Sequence, residues 1–191
     1  PTGIVFARAV KRIPVELRWG EDNVSWVRWA PWNRYKDAVD ADGDVPEGCR
    51  VLDGTGLVVC PGFIDLHTHL REPGFEDKET ISTGVAAAVN GGFTTICAMP
   101  NTNPPMDNAA TIEYVIQQAA MAGKAIVLPI GCVTKGSEGK QLAELWEMAQ
   151  SGSVGFSDDG NPVADAHLMR QALAYSGGLG LPVIQHSEDL E

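Results

Sequence analysis

The stretch Pro61-Gly62-Phe63-Ile64-Asp65-Leu66-His67-Thr68-His69-Leu70-Arg71-Glu72-Pro73-Gly74 places two histidines and an arginine in an apolar run. The run predicts a strand, in which successive side chains point to opposite faces. His67, His69 and Arg71 would then share one face with Asp65. Two imidazoles on one face can bind a metal ion, or they can be ordinary histidines that hydrogen-bond to neighbouring carbonyls. The spacing alone leaves both interpretations open.

Downstream of this stretch, strand-like runs alternate with helix-like runs. Helices are predicted over residues 79–90, 108–122, 140–150 and 164–175, and strands over residues 93–99, 125–130, 153–157 and 181–185. Glycines at 91–92, 123, 152 and 177–178 follow the helices, as is common at helix ends. Each strand is short and apolar enough to be buried on both faces, which predicts an α/β fold of parallel βα units.

Two α/β folds fit this alternation, a (β/α)8 barrel and a doubly wound sheet. No Gly-x-Gly-x-x-Gly turn follows the first strand, which weakens the case for a dinucleotide-binding sheet. Polar residues gather instead at the carboxyl ends of strands, where (β/α)8 barrels build their active sites. These residues are His67, His69, Arg71, Asn101, Asp158, Asp159 and His186. The sequence therefore predicts strands one to five of a partial (β/α)8 TIM barrel over residues 61–191.

Residues 1–60 differ from the rest and are predicted to form a small β-rich flank. Four of the five tryptophans fall within residues 1–40. A strand is predicted over residues 24–29, and residues 51–60 are typical of a strand, a Gly-rich turn and a second strand. Because the tryptophan content and the charge of residues 1–40 differ from those of the chain after residue 51, we regard their reading frame as doubtful, with a frame shift hypothesised between residues 11 and 40.

The composition limits the partners and the compartment. The formal net charge of −11 argues against nucleic acid or an anionic membrane as a partner, because phosphates are bound by clustered lysine and arginine. The cysteines, Cys49, Cys60, Cys97 and Cys132, form no Cys-x-x-Cys pair, so reduced thiols are expected. The sequence contains neither a secretory signal nor a run of about 18 apolar residues. We therefore expect a cytoplasmic protein.

Two motifs resemble those of one enzyme family. Residues 61–74 resemble the first metal-binding motif of the amidohydrolase superfamily, and in particular that of the dihydroorotases. The run Met99-Pro100-Asn101-Thr102-Asn103-Pro104-Pro105 resembles the second dihydroorotase motif, although alone it could be a proline-rich turn. The resemblance extends from about residue 49 to residue 191.

The resemblance implies a metal site and a substrate-binding pair. Its metal ligands would be His67, His69, Asp159 and His186, with Asp158 as the second choice for the carboxylate. Imidazole and carboxylate ligands suit Zn²⁺, and one or two ions are expected. Arg71 and Asn101 would bind the substrate carboxylate, which a guanidinium fork and an amide match well. His167 has no matching role.

The activity implied by the resemblance is zinc-dependent, reversible hydrolysis of the cyclic amide of dihydroorotate to N-carbamoyl-aspartate in pyrimidine biosynthesis. The family's general acid-base residue would lie beyond Glu191, so no residue of this chain is assigned to that role. The chain begins with Pro1 rather than Met. We therefore expect an N- and C-terminally incomplete fragment that is inactive alone. The partners expected are the small-molecule substrate and either further copies of the chain or aspartate carbamoyltransferase.

Two alternatives to dihydroorotase activity stay open. Another cyclic amidase, a dihydropyrimidinase or an allantoinase, would be expected to carry a carboxylated lysine after the fourth strand, where this chain has Asp158 and Asp159. A non-catalytic dihydroorotase-like subunit would be expected to have lost metal ligands, whereas His67, His69 and His186 are all present.

Overall fold

The structure is a computed structural model that describes residues 57–188 continuously and five short strands before them. These strands are β1 (Gly3–Ala7), β2 (Val15–Arg18), β3 (Trp26–Val27), β4 (Val39–Asp40) and β5 (Arg50–Asp53). The chain divides into two compact units, residues 1–63 and residues 64–191.

The first unit pairs its strands across long stretches of sequence. Strand β6 (Leu57–Pro61) runs parallel to β1, β5 runs parallel to β2, and β3 pairs with β4 in antiparallel fashion. The two strands predicted within residues 51–60 thus pair with earlier strands. Of the strand predicted over residues 24–29, residues Trp26–Val27 form β3, and the others lie outside the described residues. The reading-frame hypothesis concerns a segment that lies largely outside the described residues.

The second unit alternates strands and helices as predicted. In chain order it contains β7 (Phe63–Thr68, whose first residue closes the first unit), α1 (Ile81–Asn90), β8 (Phe93–Ala98), α2 (Ala109–Ala122), β9 (Ile126–Pro129), α3 (Leu145–Gln150) and α4 (Ala166–Leu179). The sheet order is β7-β8-β9, and β8 runs parallel to β9 from Thr95↔Ile126 to Ala98↔Pro129. The α/β class with parallel strands is confirmed.

Beyond β9 the parallel hydrogen bonding continues without forming full strands. Phe156 makes parallel bridges to Gly131 on one side and to Val183 on the other. Ile184 N donates to Phe156 O at 2.8 Å. The segments predicted as strands four and five therefore follow β9 in the predicted order but are shorter than predicted. Pro182 lacks an N–H group and cannot donate to the ladder. The five-stranded partial barrel stays a prediction.

Two helices differ in extent from their predictions. Helix α3 begins at Leu145 rather than at residue 140, because the preceding backbone pairs elsewhere: Lys135 N donates to Gln141 O, and Ala143 N donates to Val133 O, both at 2.9 Å. Helix α4 continues through the glycines at 177–178, where it was predicted to end. It ends before Gly180, whose left-handed φ of 72° favours glycine.

The core of the second unit lies between the sheet and its helices. Its fully buried side chains include Ile81, Val85, Ile96, Ile112, Val115 and Phe156. On β7, by contrast, the side chains of Ile64 and Leu66 are 61% and 68% exposed, so the prediction of burial on both faces is wrong for this strand. Among the described strands, β7 is at the end of its sheet and has a neighbour on one side only. No helix in the described part of the chain is both long and apolar enough to cross a membrane.

Candidate metal centre

Two hydrogen bonds at Thr68 anchor the end of β7 to the end of β8. Thr68 O accepts a hydrogen bond from Met99 N at 2.9 Å, and Thr68 Oγ1 donates to Cys97 O at 2.7 Å. His67 and His69 flank Thr68 and share one side of the chain, as the alternation predicts. Their rings lie edge to face, with centroids 5.1 Å apart. The strand itself ends at Thr68, so His69 and Arg71 lie just beyond it.

Asp159 reaches the two histidines from a turn that follows Phe156. The turn is closed by a hydrogen bond from Asn161 N to Asp158 O at 2.7 Å, and Gly160 has a positive φ of 82°. Asp159 Oδ1 lies 3.1 Å from His67 Nε2, and Asp159 Oδ2 lies 3.8 Å from His69 Nδ1. The carboxylate is 9% exposed, so it is largely withdrawn from water.

His67, His69 and Asp159 form a cluster that can hold a metal ion, each offering one ligand atom, with these atoms within 4.8 Å of one another. Two imidazole nitrogens and a carboxylate oxygen are a donor set typical of catalytic zinc sites, in which three protein ligands leave further positions open. The residues present therefore fit a divalent metal such as zinc. We call this group the His-His-Asp cluster.

Asp158 belongs to the support of the cluster. One of its oxygens accepts hydrogen bonds from Val133 N at 2.8 Å and Thr134 N at 3.0 Å, and the other accepts from the Thr134 hydroxyl. Burial raises the pKa of the Asp158 carboxyl above its usual range, and the hydrogen bonds from Thr134 and Val133 act in the opposite direction. These bonds direct the Asp158 carboxylate to Val133 and Thr134. Asp159 is therefore the carboxylate that faces the histidines.

Asn101 contacts the cluster, whereas Arg71 adjoins it in sequence. Asn101 Nδ2 donates to Asp159 Oδ2, and Asn101 Oδ1 lies within hydrogen-bond distance of His69 Nδ1. Arg71 has a left-handed φ of 61° and is half-buried. Among the described side chains, none forms an ion pair with its guanidinium.

His186 and His167 lie outside the His-His-Asp cluster. His186 Nε2 is 3.0 Å from Glu188 Oε2 and its side chain is 39% exposed. Its assignment as a fourth ligand stays a prediction. His167 is exposed in the first turn of α4, where its backbone N–H donates to the helix-capping carboxylate of Asp165.

Glu72 is a supporting residue that the sequence analysis missed. Glu72 Oε1 accepts from the Tyr114 hydroxyl at 2.9 Å, and Glu72 Oε2 accepts from Ile81 N at the start of α1 at 2.7 Å. The loop after the ligand strand is thereby fixed to both α1 and α2. The sequence could have indicated a role for Glu72 only through its position directly after Arg71 in the motif. Nothing in the sequence indicates its hydrogen bond with Tyr114.

Comparison with known proteins identifies relatives along most of the chain. The profile of a family described as "Dihydro-orotase-like" matches residues 56–190. A protein named dihydroorotase from Desulforapulum autotrophicum is 48% identical, over 83% of this chain and 40% of the relative's length. Another from Anaeromyxobacter dehalogenans is 56% identical, over 76% of this chain and 34% of the relative's length. In Aquifex aeolicus the identity is 48% over 79% of this chain and 36% of the relative. The chain thus spans no more than 40% of the length of these relatives.

Solved structures share the fold. An L-hydantoinase (dihydropyrimidinase) from Arthrobacter aurescens has a TM-score of 0.62 at 20% identity, covering 93% of this chain and 41% of that one. A D-hydantoinase (dihydropyrimidinase) from Thermus sp. has a TM-score of 0.56 at 23% identity, and the match covers 99% of this chain and 40% of that one. At these identities the likeness concerns the fold alone. Through the profile match over residues 56–190, and with the dihydroorotases as relatives, the chain belongs to the dihydro-orotase-like family.

Proposed function

We propose that the protein acts in the reversible hydrolysis of the cyclic amide of dihydroorotate to N-carbamoyl-aspartate. The observation that carries this proposal is the convergence of His67, His69 and Asp159 in a chain whose relatives are named dihydroorotase. These residues come from positions up to 92 apart in the sequence, which is the usual construction of a site at the carboxyl ends of barrel strands.

Zinc is the metal that we propose for the His-His-Asp cluster. His67, His69 and Asp159 would hold it, and His186 is proposed as a further ligand from the segment after Val183. A bound zinc ion would act as a Lewis acid and would activate water for attack on an amide carbonyl near neutral pH. The part that this chain plays is to place three ligands together and to withdraw the Asp159 carboxylate from water.

Arg71 is proposed to bind the carboxylate of the substrate. The guanidinium presents a planar fork of donors that can make two hydrogen bonds to one carboxylate. Arg71 follows His69 by two residues, so a carboxylate held there would keep the cyclic amide beside the cluster. Asn101 is proposed to contribute an amide N–H to the same carboxylate. Such positioning converts binding energy into correct orientation of the reacting groups.

Two observations favour this activity over the alternatives. The sequence has no lysine after Lys140, so no carboxylated lysine can take the position of Asp159. This favours dihydroorotase over the dihydropyrimidinase and allantoinase type of cyclic amidase. The presence of all three cluster residues favours an enzyme over a non-catalytic subunit. Oligomer formation and assembly with aspartate carbamoyltransferase remain predictions, as does a cytoplasmic location.

A graft into a relative tests the proposal. Residues 56–190 would replace the matching segment of the Aquifex aeolicus dihydroorotase, and the hydrolysis of dihydroorotate and the zinc content would be measured. We expect turnover and bound zinc in the graft, and loss of both in the double variant His67→Ala, His69→Ala. His167→Ala is the matched control, because His167 is exposed and is not a member of the cluster. Hydrolysis of dihydroorotate by a graft free of metal would contradict the proposal.

A further inference from the structure

Asn101 connects two of the three residues of the His-His-Asp cluster through one side chain. Its Nδ2 donates to Asp159 Oδ2 at 2.8 Å, and its Oδ1 lies 3.0 Å from His69 Nδ1. Both distances are those of good hydrogen bonds. The side chain is partly buried, so these bonds are shielded from competition by water.

The backbone around Asn101 is fixed by the preceding and following residues. Pro100 O accepts from Thr102 N at 2.8 Å and from Met106 N at 3.1 Å, and Asn103 N donates to Pro73 O at 2.9 Å. Pro100, Thr102 and Met106 are buried. The loop is therefore held against the segment that follows the ligand strand, and the Asn101 carboxamide is delivered to the cluster from a fixed position.

The partners of Asn101 determine how its amide is oriented. A carboxylate can only accept hydrogen bonds, so the NH₂ end of the carboxamide must face Asp159. The carbonyl end then faces His69, and because it can only accept, His69 Nδ1 must carry the hydrogen. A neutral imidazole carries one N–H hydrogen, and a hydrogen bond donated from one ring nitrogen leaves the other nitrogen unprotonated. In this arrangement His69 Nε2 is the unprotonated nitrogen.

We propose that Asn101 is a positioning residue of the metal centre that sets the tautomer of His69 and the orientation of Asp159. Holding the proton on His69 Nδ1 leaves Nε2 as the nitrogen able to bind a metal. Engaging Asp159 Oδ2 leaves Oδ1 to face His67, 3.1 Å away. This inference rests on the metal centre of the proposed function and adds a role for Asn101 besides contact with substrate.

The same amide can also link the metal centre to substrate binding. One hydrogen of the NH₂ group is used by Asp159, and the second is a remaining donor for a substrate carboxylate. A ligand bound there would draw on the same side chain that orients His69 and Asp159. Loss of Asn101 should therefore weaken both metal and substrate binding, whereas loss of the Arg71 guanidinium should weaken substrate binding alone.

The tautomer of His69 can be measured without metal or turnover. The chain, labelled with ¹⁵N-histidine and freed of metal with a chelator, would be studied by long-range ¹H–¹⁵N spectroscopy at a pH well above the usual histidine range. It contains four histidines, so single substitutions of the other three assign the signals. We expect the proton of His69 on Nδ1, and we expect Asn101→Ala to abolish that preference. Protonation of His69 on Nε2 in the unsubstituted chain would overturn the proposal, even if the variant failed to fold.

Zinc affinity is the second measurement. Titration against a chromophoric chelator should show that Asn101→Ala weakens zinc binding by about 10- to 100-fold, the usual effect of losing a residue that orients metal ligands. Asn90→Ala at the exposed end of α1 is the matched control and should leave zinc affinity unchanged. Equal zinc affinity in Asn101→Ala and the unsubstituted chain would also overturn the proposal. The spectra do not depend on turnover, so failure of the proposed activity would leave them unchanged.

Discussion

Asp158 and Asp159 are adjacent in sequence, yet their carboxylates have separate partners. Asp158 accepts from the backbone N–H groups of Val133 and Thr134, while Asp159 lies 3.1 Å from His67 Nε2. Both are buried, at 3% and 9% exposure. One therefore fixes the turn to the neighbouring segment, and the other faces the candidate metal position. Their substitutions should have different consequences.

Asp159→Asn should remove zinc binding with little loss of stability, because a neutral amide is a poor ligand but has nearly the same shape. We expect zinc affinity to fall by more than about 100-fold, beyond the effect of losing a residue that only orients ligands. Asp158→Asn should instead lower the free energy of unfolding by about 1–3 kcal/mol, since an amide cannot accept all three hydrogen bonds. Zinc titration and urea unfolding of both variants measure this. The same profile in both variants would contradict the division of roles.

Arg71→Lys should weaken binding of N-carbamoyl-aspartate and leave zinc affinity unchanged. An ammonium group cannot reproduce the two-point contact of a guanidinium with a carboxylate, and lysine shares the backbone cost of a φ of 61°. We expect substrate affinity in the grafted enzyme to fall by about 10- to 100-fold, which corresponds to one lost charged hydrogen bond. Calorimetric titration measures both ligands. Unchanged substrate affinity would assign Arg71 a structural role.

Glu72→Gln should loosen the loop that carries Arg71. Glu72 accepts one hydrogen bond from Ile81 N and one from Tyr114, with one oxygen each, and an amide has a single oxygen with which to accept. The substitution also removes a negative charge from beside the start of α1. We expect the free energy of unfolding to fall by about 1–2 kcal/mol.

Tyr114→Phe complements Glu72→Gln, because it removes only the hydrogen bond from the Tyr114 hydroxyl to Glu72. Its cost should be about 1 kcal/mol. The double variant should cost less than the sum of the single variants, because both changes break the same contact. Urea unfolding of the four proteins gives the coupling energy. Strict additivity would show that Glu72 and Tyr114 act independently.

The sequence predicted local structure well wherever one signal decided it. Helix α2 was predicted from its apolar spacing, and the structure supplies the expected caps: Asn108 accepts from Thr111 N, and Gly123 takes a left-handed φ of 66°. The placement of His67 and His69 on one side of the chain followed from strand alternation alone.

Predictions failed where distant backbone competed with local preference. Residues 140–143 have helical composition, but their backbone pairs with Val133 and Lys135, and local propensity is too weak to oppose that. The meeting of Asp159 with His67 and the bonds from Asn101 to both ligands depend on tertiary structure. Periodicity carries no information on these contacts. The order of strands placed both Asp158 and Asp159 at a strand end, and only the family resemblance chose Asp159 as the ligand.

Gly84→Ala and Gly177→Ala should change stability in opposite directions, although both place alanine in a helix. A Cβ at Gly177 would meet no atom within 4 Å, so the substitution should stabilise the protein by about 0.5–1 kcal/mol. A Cβ at Gly84 would lie 2.5 Å from Leu70 Cδ2, and Leu70 is buried. Overpacking of this kind costs about 1–3 kcal/mol, which exceeds the gain in helix propensity. Thermal unfolding of both variants tests the prediction, and stabilisation by Gly84→Ala would contradict the close packing.

Cys132 should make the protein less stable as the pH rises above 9. The thiol is fully buried, and burial raises its pKa from 9.0 to about 12. Above pH 9 the unfolded chain releases the thiol proton while the folded chain retains it, so the unfolded state binds fewer protons and stability falls with pH. The loss should reach about 2 kcal/mol at about 1.5 pH units above the unfolded pKa. Urea unfolding of the unsubstituted chain and of Cys132→Ala, compared at neutral pH and in this alkaline window, isolates the contribution, because every other titrating group is common to both proteins. The difference between the two should shrink or reverse at alkaline pH, and a difference independent of pH would show that the Cys132 thiolate is not excluded from the folded state.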